Sequence, residues 1–218
     1  MPRKKLIRSS LLPYHVTARC DNREPFPLEL PKMWELLGSE CLSASLKFGA
    51  QFQSLVLMPN HFHLLVRTPE SDLGQIMNEL MSNLTKLSNR MVGRSGHLFG
   101  GPHHRSIIEN SRYYGHAFKY VYRNPVKAKL CERVEDYPYS TLHGLLGSAP
   151  LRFPIFPPRS EIAISVPGIE PYELVPWLNK PFPKEAERLI QAGLRKKIFK
   201  KMICRKTRTE YEILQQII

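Results

Sequence analysis

The stretch QFQSLVLMPNHFHLLVRT, residues 51–68, decides the fold. Residues 51–58 are rich in Phe, Leu and Val, the composition of a buried strand. Pro59-Asn60 is a turn signal, and residues 61–68 resume the extended, apolar-rich pattern, so the whole reads as a β-hairpin. Side chains at i and i+2 of a strand share a face. His61 and His63 therefore project together, while Phe62 enters the core.

Upstream, residues 11–19 alternate Tyr14, Val16 and Ala18 against His15, Thr17 and Arg19, another strand. A loop marked by Pro25, Pro27 and Pro31 leads to Met33, Leu36, Leu37, Leu42 and Leu46, an amphipathic helix closing near Gly49. Downstream, Leu73, Ile76, Met77, Leu80, Leu84, Leu87 and Met91 recur at helical spacing up to Gly93, as a core-facing helix requires. Residues 103–109 form the best fourth strand. Residues 113–123 read as a helix expected to end near Asn124, because Pro125 disfavours helical geometry before it. The order β-α-β-β-α-β, then a further helix, predicts an α+β ferredoxin-like sandwich with an antiparallel sheet and helices on one face.

Composition narrows the function. The 218 residues are 42% hydrophobic and 23% charged, ordinary for a globular chain with one full core and an appendage. No apolar run approaches the ~20 residues of a membrane span, and the N-terminus lacks a secretory apolar region. Cys20, Cys41, Cys131 and Cys204 lie far apart without a C-x-x-C pair. That predicts a reduced, cytoplasmic chain and argues against a disulfide scaffold or zinc finger. Lys and Arg number 32 against 19 Asp and Glu, a net charge of +13, which favours a polyanionic partner such as nucleic acid.

The chain divides by texture. All eight histidines precede residue 148. Nine prolines then crowd residues 148–183, which read as an extended connector. Residues 184–218 read as a basic, helical C-terminal segment. Within it, residues 184–208 hold ten basic and two acidic side chains, suited equally to a solvated terminus or a grip on DNA.

Two constellations can carry chemistry. His61 and His63 offer convergent imidazoles to a divalent metal but lack a third ligand, and solvated histidines would look the same. Tyr120 and Asn124 are i and i+4 on a helix and share a face. The phenol can meet a phosphate and the amide oxygen a metal; the plainer reading is a packing aromatic and a helix stop. His116, one turn before Tyr120, is either a base or a surface residue. Arg105, His103 and His104 either touch DNA or are solvated. Tyr113, Tyr114 and Tyr122 are rival nucleophiles; a two-residue step turns a helical side chain by ~200°, so Tyr122 faces away from whatever Tyr120 faces. Trp34 and Trp177 read as core or docking residues.

Together the stretches YHVTAR (14–19), VLMPNHFHLLV (56–66), LFGGPHHRSIIEN (98–110), YVYRNPVKAKL (120–130) and EDYPYS (135–140) resemble the single-tyrosine HUH transposases, in particular the REP-associated tyrosine transposases. Each motif is short; their ordered combination over residues 10–147 is specific. The resemblance implies a ferredoxin-like catalytic domain over 1–147, with Tyr120 as nucleophile and His61, His63 and Asn124 as ligands of Mg²⁺ or Mn²⁺. Asn124 stands where related transposases use Gln. It further implies metal-dependent cleavage and rejoining of single-stranded or hairpin DNA through a 5′-phosphotyrosine. A homodimer is also possible, since the family includes both dimers and monomers. A non-catalytic hairpin-binding protein and a metal-dependent phosphodiesterase are the competing readings.

Overall fold

The computed structural model describes residues 8–70, 72–157, 166 and 170–200. Its order opens β1 (Tyr14–Arg19), α1 (Leu30–Phe48), β2 (Gln51–Met58), β3 (His61–Arg67), α2 (Leu73–Val92), β4 (His104–Ile108) and α3 (Ser111–Lys127). Then follow α4 (Leu142–Leu145), α5 (Pro171–Asn179), α6 (Lys184–Leu194) and a two-residue β5 (Ile198–Phe199). The sheet runs β2-β3-β1-β4-β5, antiparallel except for the last pair. Strands β1 to β4 and helices α1 and α2 make the α+β ferredoxin-like unit that the periodicities predict.

Helix ends follow local chemistry. Pro31 opens α1, and Gly49 closes it in the left-handed region at φ 63°. The Asp72 carboxylate caps α2 by accepting the Gly74 N–H at 2.8 Å, and the Asn110 side-chain oxygen caps α3 by accepting the Tyr113 N–H at 3.1 Å.

The sheet has two covered faces, not the single helical layer expected from sequence. Val16, Phe62, Leu64 and Leu57 pack under α1 and α2 against Met33, Leu37, Ile76 and Leu80. On the other face, Val56, Met58, Leu65 and Ile108 pack under α3 with Ala117 and Val121. The C-terminal residues thicken this second layer: Leu174, Leu178, Ala186, Ile190, Leu194 and Phe199 all join it.

Three expectations are therefore corrected. Helix α3 runs through Pro125 to Lys127. Pro125 has no N–H for the Val121 carbonyl, and the Asn124 side-chain nitrogen approaches that oxygen at 3.4 Å while donating to the Tyr120 carbonyl at 2.7 Å. The Pro-rich residues do not simply lead away: Phe153 stacks edge-on to Phe52, and the Phe156 N–H donates to the Phe52 carbonyl at 2.8 Å. Among the described residues the basic segment is helical from Lys184 to Leu194. It then turns into β5, where the Ile107 N–H donates to Lys197 and the Glu109 N–H to Phe199. Lys201, Cys204, Arg205, Lys206 and Arg208 lie outside the described residues.

Candidate active site

Register places the histidines. His63 lies opposite Thr17, and His61 opposite Arg19. Directly opposed residues share a face, so His15, Thr17 and Arg19 line the same side of the sheet as His61 and His63. That side is the one α3 covers. The expected exposed sheet face is not what forms: His61 is 9% and His63 6% exposed, because α3 lies over the strands and α6 packs on α3. What remains is a cleft of about 1060 Å³ whose walls include His61, His63, Tyr120, Asn124, Arg19 and Arg195.

The predicted residues converge within it. The Tyr120 ring stands edge-on to His63, with centroids 5.8 Å apart, and edge-on to His15 at 6.1 Å. The His61 and His63 centroids are 5.0 Å apart. Asn60 orients His61: its amide nitrogen donates to the Arg23 carbonyl at 2.6 Å, which turns its oxygen toward His61 Nδ1 at 2.7 Å. Asn124 spends its amide nitrogen on backbone carbonyls, and its Oδ1 is the atom left for a ligand.

Burial keeps the imidazoles neutral. It drives His15 down to about 3, with His104 adding to the effect, and His61 down to about 4, with Arg19 adding. His63 is held well below the imidazole range by burial, then by His15, His61 and Arg19. Neutral imidazole has the lone pair a metal needs. The same burial raises Tyr120 above the ordinary phenol, Glu187 adds to that rise, and Arg195, a Gln191 hydrogen bond and Arg19 oppose it.

Two imidazoles 5.0 Å apart can meet one ion at the ~2.1 Å that such bonds require, and Asn124 can add a neutral oxygen. Among the described residues no three His, Cys, Asp or Glu side chains gather as a metal site. The donor set fits a divalent ion only with Asn124 or the bound substrate completing it.

Other candidates fall elsewhere. The Tyr122 hydroxyl is 2.9 Å from Thr141 Oγ1, Tyr114 is fully buried, and Tyr113 packs against Phe199; none lines the cleft. His116 is buried, not a surface residue, with its ring against Tyr113. His104 reaches the cleft, whereas His103 lines a separate groove beside α2. Trp177 docks over Lys119, whose Nζ lies 4.9 Å from its ring. Sequence reasoning passed over His15 as an ordinary polar strand position and passed over Gln191 of the C-terminal segment, while Arg195 was read only as one of the basic residues there. The parity shared by His15 and Arg19 was the available signal; nothing local marks Gln191.

No protein-family model matches the chain. Over 101 residues it is 27% identical to a relative from Haemophilus influenzae assigned to the REP-associated tyrosine transposases, covering 41% of this chain and 57% of that one. Over 95 residues it is 26% identical to the REP-associated tyrosine transposase of Escherichia coli K12, covering 43% and 54%. The chain thus spans little more than half the length of the curated relatives it matches. A solved structure of a REP-associated tyrosine transposase bound to a REP hairpin superposes with a TM-score of 0.55 at 21% identity, covering 71% of this chain and 92% of that one. The sequence relatives and the shared fold point the same way as the ordered motifs: this chain is similar to the REP-associated tyrosine transposases.

Proposed function

We propose that this protein cleaves and rejoins single-stranded or hairpin DNA, with Tyr120 as nucleophile and His61, His63 and Asn124 as the holders of a Mg²⁺ or Mn²⁺ ion. The observation that carries the reading is the edge-on approach of Tyr120 to His63 inside a cleft walled by Arg19, Lys127 and Arg195. The three cations suit the phosphate backbone of a substrate. The hairpin bound by the solved relative supports hairpin DNA as that substrate.

Attack by the Tyr120 oxygen forms a Tyr–O–P bond and breaks the P–O3′ bond. The Tyr120 phenol gives up its proton to solvent, the 3′ oxygen leaves and takes one up, and the 5′ phosphate stays on Tyr120. The phosphodiester bond is exchanged, not spent, so rejoining needs no nucleotide cofactor. A bound divalent ion would supply charge neutralisation at the phosphate oxygens. The chain itself supplies the rest: Arg19 and Arg195 hold negative charge near the nucleophile, and Gln191 orients the phenol by a hydrogen bond.

Labelled hairpin-flanked oligonucleotides incubated with Mn²⁺ and run on a denaturing gel test this. A covalent protein–DNA band supports the transferase. Released fragments without that band mean hydrolysis, and a shift seen only on a native gel means a binding protein.

A further inference from the structure

His15 has no part in the proposed set, yet its ring touches that set directly. It sits on β1, between β3 and β4, is 2% exposed, and its Nε2 lies 3.1 Å from Nδ1 of His63. Such an N···N bond needs one hydrogen and one lone pair, and two arrangements provide them. If His15 Nε2–H donates, neutral His63 must carry its proton on Nε2, and that nitrogen cannot bind a cation. If His63 Nδ1–H donates, His63 Nε2 keeps a lone pair, and the proton of His15 moves to its own Nδ1.

Two features favour the second arrangement. The first is symmetry with His61, whose Nδ1 faces a carbonyl-type oxygen of Asn60 at 2.7 Å and therefore must be the donor. Both histidines then present the same nitrogen, Nε2, to the cleft. The second is the far side of His15. Its Nδ1 is buried without a partner, and its cross-strand neighbour on β4, Ser106, carries a hydroxyl that is buried without a partner too. A proton on His15 Nδ1 therefore lies on the side of the one cross-strand neighbour on β4 whose hydroxyl also lacks a partner.

We infer that His15 is a positioning residue: it accepts the His63 Nδ1 proton and thereby fixes His63 as an Nε2 ligand. The role is that of the carboxylate or carbonyl that commonly orients a metal-binding histidine, here taken by a neutral imidazole that adds no charge to the site. This inference rests on the reading of His61 and His63 as a ligand pair.

The test uses the full chain without DNA. Two-bond ¹H–¹⁵N spectra at neutral pH report which nitrogen of His63 bears the proton, and Mn²⁺ titration followed by electron paramagnetic resonance reports affinity. In the wild type, His63 should carry its proton on Nδ1. His15→Leu, which keeps bulk but offers no acceptor, should weaken Mn²⁺ about 10- to 100-fold. His15→Gln, whose Oε1 can take the place of Nε2, should stay within about threefold of wild type. Wild-type His63 protonated on Nε2, or a folded His15→Leu that binds Mn²⁺ as wild type does, overturns the inference. The wild-type spectrum decides it even where His15→Leu does not fold. A wild type that binds no Mn²⁺ while His63 stays protonated on Nδ1 upholds His15 as the orienting group and removes the metal from the proposed function.

Discussion

The side-chain nitrogen of Asn124 lies 3.4 Å from the carbonyl oxygen of Val121, the group that Pro125 deprives of its helical partner. One residue thus mends the helix and, by doing so, aims its remaining oxygen. Asn124→Ala should cost about 1 kcal/mol of stability, the net worth of a buried hydrogen bond, and weaken Mn²⁺ binding. Pro125→Ala restores a backbone N–H, so the stability loss from Asn124→Ala should shrink in that background. Equal losses in both, measured by urea denaturation, would show that the side chain is not standing in for the missing donor.

Tyr120→Phe keeps the ring that packs against His15 and His63 and removes only the oxygen proposed to attack. The covalent adduct should vanish, with oligonucleotide affinity within about twofold of wild type. Peptide mapping of the wild-type adduct provides the check: attachment at Tyr113, Tyr114 or Tyr122 would displace Tyr120 from its role.

Cleavage should rise with pH. Burial first, and Glu187 second, raise Tyr120, so the phenolate form is scarce at neutral pH and grows as pH climbs toward the phenol range. Glu187→Gln removes the second cause and frees Lys127, its ion-pair partner at 3.1 Å. Both changes favour the phenolate, and single-turnover cleavage at a fixed pH below the plateau should speed up about two- to fivefold. An unchanged pH–rate profile would show that Glu187 does not reach the nucleophile.

Acid should loosen the fold at the histidine face. His15 and His61 titrate near 6.5 when unfolded but about 3 and 4 when folded, and His63 is lowered as well. The unfolded chain therefore binds more protons. Their stabilisation is complete above about pH 6.5 and is lost as pH falls through the folded values, at up to ~1.4 kcal/mol per pH unit for each histidine. Urea midpoints measured from pH 7 to pH 4 should fall more steeply for wild type than for His15→Gln. Parallel curves would place the acid sensitivity elsewhere.

Truncation at Gly147 should not yield a stably folded fragment. It strips Leu174, Leu178, Phe182, Ala186, Ile190 and Leu194 from the layer over α3, each worth on the order of 1–3 kcal/mol of burial for the larger side chains. It also takes Trp177 and Phe182 from Lys119, whose Nζ lies about 5 Å from both rings. The truncated protein should melt about ten degrees lower or more, or associate on gel filtration. A monodisperse fragment with wild-type melting temperature would mean that the segment is dispensable.

Much of this was legible in the residues because it depends on period. Alternation set β1 and the hairpin, 3.6-residue spacing set α1 and α2, and the parity of His61 and His63 put them on one face. The misreadings share a cause: each depended on partners distant in sequence. The rule that proline ends a helix failed at Pro125 because the preceding residue happens to be an asparagine that can replace the lost donor. The histidine face looked exposed because its cover, α3 and then α6, bears no mark in the strands themselves. A two-residue β5 has no pattern to read; only the waiting edge of β4 makes it a strand. His15 was visible as a polar strand position, but its importance comes from lying beside β3.

That short β5 also bears on how the protein is made. Ile198 pairs with Ile107, yet it leaves the ribosome long after β4 has emerged. During that interval β4 presents unpaired N–H and C=O groups along one side, a template for another strand. A stretch synthesised well after β4 closes this edge, so a product stalled or clipped before Ile198 is the form most prone to stick to its neighbours.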